Sequence, residues 1–119
     1  YHGMAPIISI LFNNQVIKTT MHHQTEVIAA GIRFAKSEGI VPAPESAHAI
    51  KETIDQALKA KENNEEKVIL FNLSGHGFFD LLAYKEYMTG NLKEYELPLQ
   101  EIQKNLTSKE MPIIDESKL

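Results

Sequence analysis

The sequence predicts a layered α/β/α domain with a small, mostly parallel sheet. Three observations predict it: segments of helical periodicity precede a continuous apolar run, a glycine-rich turn follows that run, and helical periodicity then returns. Strands that alternate with helices are typical of α/β domains. With 119 residues, 43% of them hydrophobic, the chain has the size of one domain and can bury roughly two-thirds of its unfolded surface. We expect the domain to span residues 1–106, and residues 107–119 to form a partly disordered or extended tail.

The first two elements are predicted to be a helix and a strand. Residues 6–12 begin with Pro6, which suits the first turn of a helix, and the apolar residues after it predict a short, largely buried helix. A buried strand is the alternative for this segment. Residues 16–20 interleave Val and Ile with Lys and Thr, which predicts a strand after a turn at Asn13 and Asn14.

Two amphipathic helices are predicted next. Residues 23–38 place apolar side chains on one side at helical spacing, and Gly39 is predicted to end this helix. The second helix is predicted over about residues 46–61, where Ala, Ile and Leu form an apolar stripe. Ser46 or Glu45 is expected near its N-cap, because short polar side chains satisfy the free N–H groups there.

The second half of the chain begins with the clearest strand signal. Residues 67–73 are almost continuously apolar, as in a strand buried on both faces of a parallel sheet. A tight turn with two glycines follows at residues 74–77, and helical periodicity returns over residues 78–88. A more exposed last helix is predicted over residues 95–106.

Composition excludes several classes of function. The net charge of −4 and the isoelectric point near 5.7 argue against a nucleic-acid partner, which would need clustered basic residues. The chain has no cysteine, so disulfides and thiolate metal sites are excluded. Its longest apolar run is shorter than the ~20 residues of a membrane-spanning helix, and no secretory signal is evident. We therefore expect a cytoplasmic protein without a membrane partner.

Two stretches carry a resemblance to a known family. Residues 38–49 read EGIVPAPESAHA, and residues 72–77 read NLSGHG. Both resemble the C-terminal portion of the tryptophan synthase β-chain family, and in particular its divergent β-like branch. The resemblance runs from residue 1 to about residue 106 but covers only the final part of a much longer enzyme. It implies the C-terminal part of a fold-type II pyridoxal-phosphate enzyme.

The resemblance assigns roles to the two stretches. Ser74 matches the family serine that faces the pyridine nitrogen of the cofactor, and Gly75 lies beside it in the cofactor-binding turn. Glu45 matches the glutamate near the cofactor ring and is the candidate catalytic residue, with Glu38 as the second choice of acid. Without the resemblance, residues 73–77 could equally be a strand-to-helix turn that needs small residues. Glu45 would then be a solvated carboxylate at a helix N-terminus.

The first residues suggest a cation site. In family members that bind a monovalent cation, backbone carbonyls at the positions of Tyr1 and Gly3 contribute ligands. Carbonyl oxygens suit hard cations. The resemblance therefore implies these two residues as metal ligands, although the β-like branch need not keep the site.

The histidines do not form a metal motif in the sequence. His22 and His23 are adjacent and have no acidic or third histidine partner at ligand spacing, so we expect solvent-exposed imidazoles at a helix entry. His48 is expected to be a packed or capping residue. His76 stands where the main family carries an arginine, which puts that arginine's role in doubt here.

Two parts of a working cofactor site are missing from this sequence. A pyridoxal-phosphate enzyme needs a lysine that bonds the cofactor and a cup of backbone N–H groups for its phosphate. The family places both upstream of the segment that this chain resembles. The complete enzyme would condense L-serine with indole to L-tryptophan and water, as a homodimer. This chain alone is expected to be inactive, to bind no cofactor, and to need the N-terminal part of the enzyme as its partner.

Two alternatives stay open. The chain could be a stand-alone, non-enzymatic binding or regulatory module derived from the enzyme, in which case an exposed edge strand or apolar face would drive association. It could also belong to a relative that performs another β-replacement or elimination on serine-like substrates. The pairing of residues 45–48 with residues 72–75 favours tryptophan synthesis.

Overall fold

The computed structural model describes residues 5–94 and 98–101. We number the α-helices of this part in chain order. They are α1 (Pro6–Asn13), α2 (Gln24–Glu38), α3 (Pro44–Glu62) and α4 (Leu81–Met88), and a short 3-10 helix, Gly77–Phe79, precedes α4. The last predicted helix, the tail and the candidate cation ligands Tyr1 and Gly3 lie wholly or mostly outside the described residues.

The core forms where α2 packs on α3. Val27 and Ile28 of α2 are almost fully buried, and Ala47 and Ile50 of α3 are buried opposite them. Full burial of one such branched side chain contributes on the order of 1.5–3 kcal/mol. Tyr84 of α4 covers the same core. The packing of α2, α3 and α4 fixes the positions of the segments that connect these helices.

The boundaries of α2 and α3 follow from identifiable residues. Gly39 ends α2 in the left-handed conformation, with φ of 71°, as the sequence predicts. Glu45 and Ser46 lie near the N-cap of α3 as predicted, but the N-cap itself is Ala43, and Pro44 occupies the first helical position. The fixed φ of proline suits that position. Ser46 is therefore inside the helix, where its side chain is free for another contact.

The helix α1 is formed but not buried. Ile7 and Ile10 keep 61% and 53% of their surface exposed, and no residue of α1 is buried. The prediction of a largely buried helix was therefore wrong for this chain. Its apolar side chains have no covering element among the described residues.

Neither predicted strand appears in the described part of the chain. Residues 16–20 and 67–73 have no hydrogen-bonded ladder, which a strand needs from a neighbouring segment. Val68 and Leu70 are 100% and 95% exposed, whereas Ile69 and Phe71 are half-buried, so residues 68–71 keep the two-residue alternation of a strand. The Phe71 ring meets Phe34 of α2 edge to face, with centroids 6.0 Å apart. The parallel sheet stays a prediction.

No helix in the described residues is both long enough and apolar enough to cross a bilayer.

Candidate functional site

The two stretches singled out in the sequence meet in space. Ser46, in the first turns of α3, is 4% exposed and lies against the main chain of Ser74. Its hydroxyl donates to the Ser74 carbonyl oxygen at 2.5 Å and accepts the Ser74 N–H at 3.1 Å. One buried side chain thus pairs both main-chain polar groups of the residue that begins the glycine turn.

Two further hydrogen bonds join the same segments. The Gly77 N–H donates to the Val41 carbonyl at 2.9 Å, and the Tyr84 hydroxyl donates to the Pro42 carbonyl at 2.6 Å. Burial raises the pKa of the Tyr84 phenol, and the negative charge of Asp80 raises it further. The phenol therefore keeps the proton that it donates. The loop before α3, residues 40–43, and the turn before α4, residues 74–77, form one unit, which we call the clamp.

The glycines of the turn serve two different needs. Gly75 has a φ of 68°, a left-handed conformation that a residue with a side chain rarely adopts. A Cβ added at Gly77 would lie 2.5 Å from the Pro42 carbonyl oxygen and 2.7 Å from Val41 Cγ1. Gly75 allows the turn to reverse direction, and Gly77 allows the two segments to approach each other.

Ser74 and Gly75 are part of the clamp, Glu45 lies beside it, and all three are open to solvent. Ser74 is exposed, and its hydroxyl oxygen is 3.5 Å from that of Ser46. Glu45 is exposed in the first turn of α3, one residue before Ser46. The structure therefore brings Ser74 and Gly75 next to the helix turn that carries Glu45. Glu38 is exposed at the end of α2.

His76 is exposed and organises the end of the turn. Its Nδ1 accepts the N–H of Phe78 at 3.3 Å, so the other ring nitrogen carries the proton in the neutral imidazole. Its ring contacts those of Phe78 and Phe79, with centroids 4.8 and 5.4 Å away. The imidazole therefore starts the 3-10 helix that leads into α4.

A second cluster lies away from the clamp and corrects the prediction for His22. Its side chain is only 12% exposed, and its Nε2 lies 2.9 Å from Glu52 Oε2, while Nδ1 lies 3.9 Å from Asp55 Oδ2. An ionised carboxylate only accepts, so Nε2 carries a proton in this contact. These three residues present metal-ligand atoms within 4.8 Å of one another. The ammonium of Lys51 already bonds both Asp55 oxygens at 2.6 and 2.7 Å. The cluster therefore forms an electrostatic contact between α3 and the residues around the start of α2, which we call the α2 entry.

Two groups of this cluster, Glu52 and Lys51, have shifted pKa values. Hydrogen bonds from Gln56, His22 and Thr20 lower the pKa of Glu52, with the Gln56 amide as the largest cause and burial as an opposing one. The hydrogen bond to Asp55 raises the pKa of Lys51. Both shifts favour the charged forms of Glu52 and Lys51.

The α2 entry also has a carboxylate cap. Glu94 accepts the Thr25 N–H at 2.8 Å, and the Thr25 hydroxyl donates to the same oxygen. His23 Nδ1 lies 3.8 Å from the other oxygen. These contacts, with the Thr25 hydroxyl as the largest cause, lower the pKa of Glu94. The N-terminus of α2 is therefore occupied by a side chain of the chain itself.

The chain is a homologue of tryptophan synthase beta chains, and it matches their C-terminal part. A tryptophan synthase beta chain from Thermococcus gammatolerans is 62% identical over 96 residues, and tryptophan synthase beta chain 2 from Pyrococcus furiosus is 62% identical over the same length. Tryptophan synthase beta chain 2 from Aquifex aeolicus is 61% identical over 94 residues. These matches cover 81%, 81% and 79% of this chain but only 22% of each relative. No family model matches the chain.

The sequence did not reveal the role of Ser46 or Tyr84. Periodicity placed Ser46 near a helix start, but its partner Ser74 is 28 residues away. Tyr84 and Pro42 are 42 residues apart. The only signal available was the type of residue, because a tyrosine buried on an apolar helix face generally needs a partner for its hydroxyl.

Proposed function

We propose that this chain is the C-terminal portion of a pyridoxal-phosphate-dependent lyase of the tryptophan synthase β type. The complete enzyme would condense L-serine with indole to L-tryptophan with loss of water. The homology to the C-terminal part of tryptophan synthase beta chains carries this proposal. The clamp supports it, since it presents the exposed Ser74 hydroxyl on a main chain whose N–H and carbonyl are both bonded by the buried Ser46.

The residues at the turn fit a flat heteroaromatic ligand. Ser74 is exposed, and its hydroxyl can donate to a ring nitrogen that carries no proton. Gly75 presents no side chain and lets the ligand approach the backbone closely. Glu45 extends from the adjacent helix turn and would lie along the face of the ring. When bound, pyridoxal phosphate withdraws electrons from the α-carbon of an amino-acid substrate.

A hydroxyl at position 74 selects among the reactions that this cofactor supports. A carboxylate partner would keep the ring nitrogen protonated and make the ring a stronger electron acceptor, whereas a hydroxyl leaves it a weaker one. The weaker acceptor suits β-elimination and β-replacement better than transamination. We therefore assign Ser74 to hold the ring nitrogen and Glu45 to the cofactor face.

We propose further that the chain acts only with the preceding part of the enzyme, as a cytoplasmic homodimer of the complete protein. The lysine that bonds the cofactor and the phosphate-binding loop would come from that part. The exposed side chains of α1 and of Val68 and Leu70 are consistent with a covering partner. The chain alone would be inactive and would bind pyridoxal phosphate weakly or not at all.

The first test compares the chain with the complete protein. Each is incubated with pyridoxal phosphate, L-serine and indole, and tryptophan is measured. We expect product only from the complete protein. Tryptophan made by the chain alone would refute the proposal that part of the site comes from the preceding part of the enzyme. If neither protein makes tryptophan, the assigned reaction is refuted.

The second test changes the partner of the ring nitrogen. In the complete protein, Ser74→Asp should shift the absorption band of the bound cofactor and increase by-products of transamination relative to tryptophan. Ser37→Asp, which adds the same charge at an exposed serine near the end of α2, is the control. An unchanged spectrum and product ratio in Ser74→Asp would sink the assignment of Ser74.

The module without enzymatic activity is the competing proposal. Its support is the same exposed apolar surface, which would then serve a separate partner. Light scattering on the chain at rising concentration addresses it, because a clean monomer at high concentration would argue against any such surface.

A further inference from the structure

The strongest unassigned feature of the site is the hydroxyl of Ser46. It is 4% exposed, so no ligand in solvent reaches it directly. Both of its close hydrogen bonds go to the main chain of Ser74, one as donor at 2.5 Å and one as acceptor at 3.1 Å. A serine buried only to stabilise its own helix would bond a carbonyl one turn earlier instead.

The directions of these bonds follow from the atoms involved. A carbonyl oxygen has no proton, so the single hydroxyl proton of Ser46 is committed to the Ser74 carbonyl. Ser46 therefore has no proton left for the Ser74 hydroxyl, whose oxygen lies 3.5 Å away. At that distance the contact is at the limit of a hydrogen bond. The one direction left for this contact has the Ser74 hydroxyl donating to Ser46 Oγ, and so long a contact leaves that proton to a better acceptor outside the clamp.

We propose that Ser46 is a positioning residue for the cofactor contact of Ser74. It holds the Ser74 backbone at both polar groups and leaves the exposed hydroxyl as a donor, which suits an unprotonated ring nitrogen. This inference rests on the function proposed above. It adds a residue that touches no ligand and acts only through Ser74.

The alternative role for Ser46 is purely structural, and the two roles differ in what they change. A structural serine would alter the stability of the fold but not the properties of bound cofactor. A positioning serine would alter the cofactor's affinity and absorption band as well. The Ser46 hydroxyl bonds two groups at once. A side chain that is a weaker donor should therefore lower the cofactor's affinity, and one that cannot donate should lower it further.

The test uses the complete protein with Ser46→Ala and Ser46→Cys, and Ser37→Ala as the matched control. The Ser37 hydroxyl bonds the Arg33 carbonyl within α2, so this control removes a serine hydroxyl away from the clamp. Cysteine keeps a similar size and a weak donor, so it serves as the partial rescue and as a second variant if alanine fails to fold. The cofactor dissociation constant, its absorption band and the hydrogen exchange of the Ser74 amide are measured.

We expect Ser46→Ala to raise the dissociation constant about tenfold, the equivalent of about 1.4 kcal/mol, with Ser46→Cys between it and the parent protein. The cofactor band should shift, and the Ser74 amide should exchange faster while the Gly77 amide, bonded to Val41, stays protected. A dissociation constant within twofold of the parent and an unmoved band would overturn the positioning role of Ser46 and leave the proposed function standing. If the parent protein binds no pyridoxal phosphate, the proposed function fails first, and this inference fails with it.

Discussion

Gly77 lies closer to its neighbours than any side chain at that position would permit. Gly77→Ala would place a Cβ 2.5 Å from the Pro42 carbonyl oxygen, which is main chain and cannot rotate away. We expect the loop before α3 to shift, with a loss of about 1–3 kcal/mol in the free energy of unfolding. Urea unfolding of the chain measures the loss.

Gly90→Ala is the control for this substitution. Gly90 also has a positive φ, of 73°, but has open space where a Cβ would go. The Gly90→Ala variant should therefore introduce backbone strain at residue 90 without moving the clamp. In the complete protein, Gly77→Ala should weaken cofactor binding and Gly90→Ala should not. Equal effects of the two on binding would mean that the approach of the segments does not matter to the site.

Single residues also mark the limit of what the sequence predicts. Ser74, Gly75 and Glu45 were predicted as site residues because each lies in a short, recognisable motif, and their roles stay a prediction. Ser46 was expected to cap its helix, since spacing along the chain contains no information on a contact with residue 74. His22 was expected to be exposed for the same reason, because Glu52 is 30 residues away.

At the scale of helices, the stabilising contribution of Glu52, which accepts from Gln56 within α3 and contacts His22 before α2, should depend on pH. The pKa of Glu52 is lower in the folded chain than its ordinary value of 4.5. Its stabilising contribution is therefore fully present above that value, and it is lost as the pH falls through the lower pKa of the folded state. Acid unfolding followed by circular dichroism should show this loss.

The matched variants for this prediction are Glu52→Gln and Glu62→Gln. Both remove a carboxylate from α3, but Glu62 is exposed at the end of the helix. Glu52→Gln should make the free energy of unfolding less dependent on pH below about 4.5, the ordinary value. Glu62→Gln should leave that dependence unchanged. Identical acid profiles for Glu52→Gln and the parent would contradict the stabilising role of the Glu52 carboxylate.

The helices themselves were well predicted where periodicity and a terminator agree. The pattern of apolar residues located α2 and α3, and Gly39 fixed the end of α2. The strand at residues 67–73 was predicted from its apolar run, which describes how a segment is buried in a complete sheet. A strand exists only through hydrogen bonds to a neighbour, and no such neighbour occurs among the described residues.

At the scale of the molecule, the exposed apolar side chains predict where a partner packs. Val68→Lys with Leu70→Lys should leave the stability of the chain nearly unchanged, because both side chains are already exposed. The same change should reduce self-association of the chain, measured by light scattering. In the complete protein it should lower the melting temperature, since a charge would be buried there.

Asn63→Lys provides the comparison, because Asn63 is an exposed polar residue at the end of α3. It should affect neither association of the chain nor melting of the complete protein. If the complete protein tolerates lysines at positions 68 and 70 as well as it tolerates lysine at position 63, Val68 and Leu70 face solvent there too.

The hydrogen bonds from Ser46 to Ser74 and from Tyr84 to Pro42 determine how the site assembles during folding. They close loops of 28 and 42 residues, and the entropy lost on closing a loop grows only slowly with its length, by about 0.6 kcal/mol per doubling. Once the contact at Ser74 has closed the shorter loop, only the segments 42–46 and 74–84 are left to close, so the contact at Tyr84 costs less entropy than it would alone. The two loops should then close and open together, so that the site is either assembled or absent and is seldom half-made.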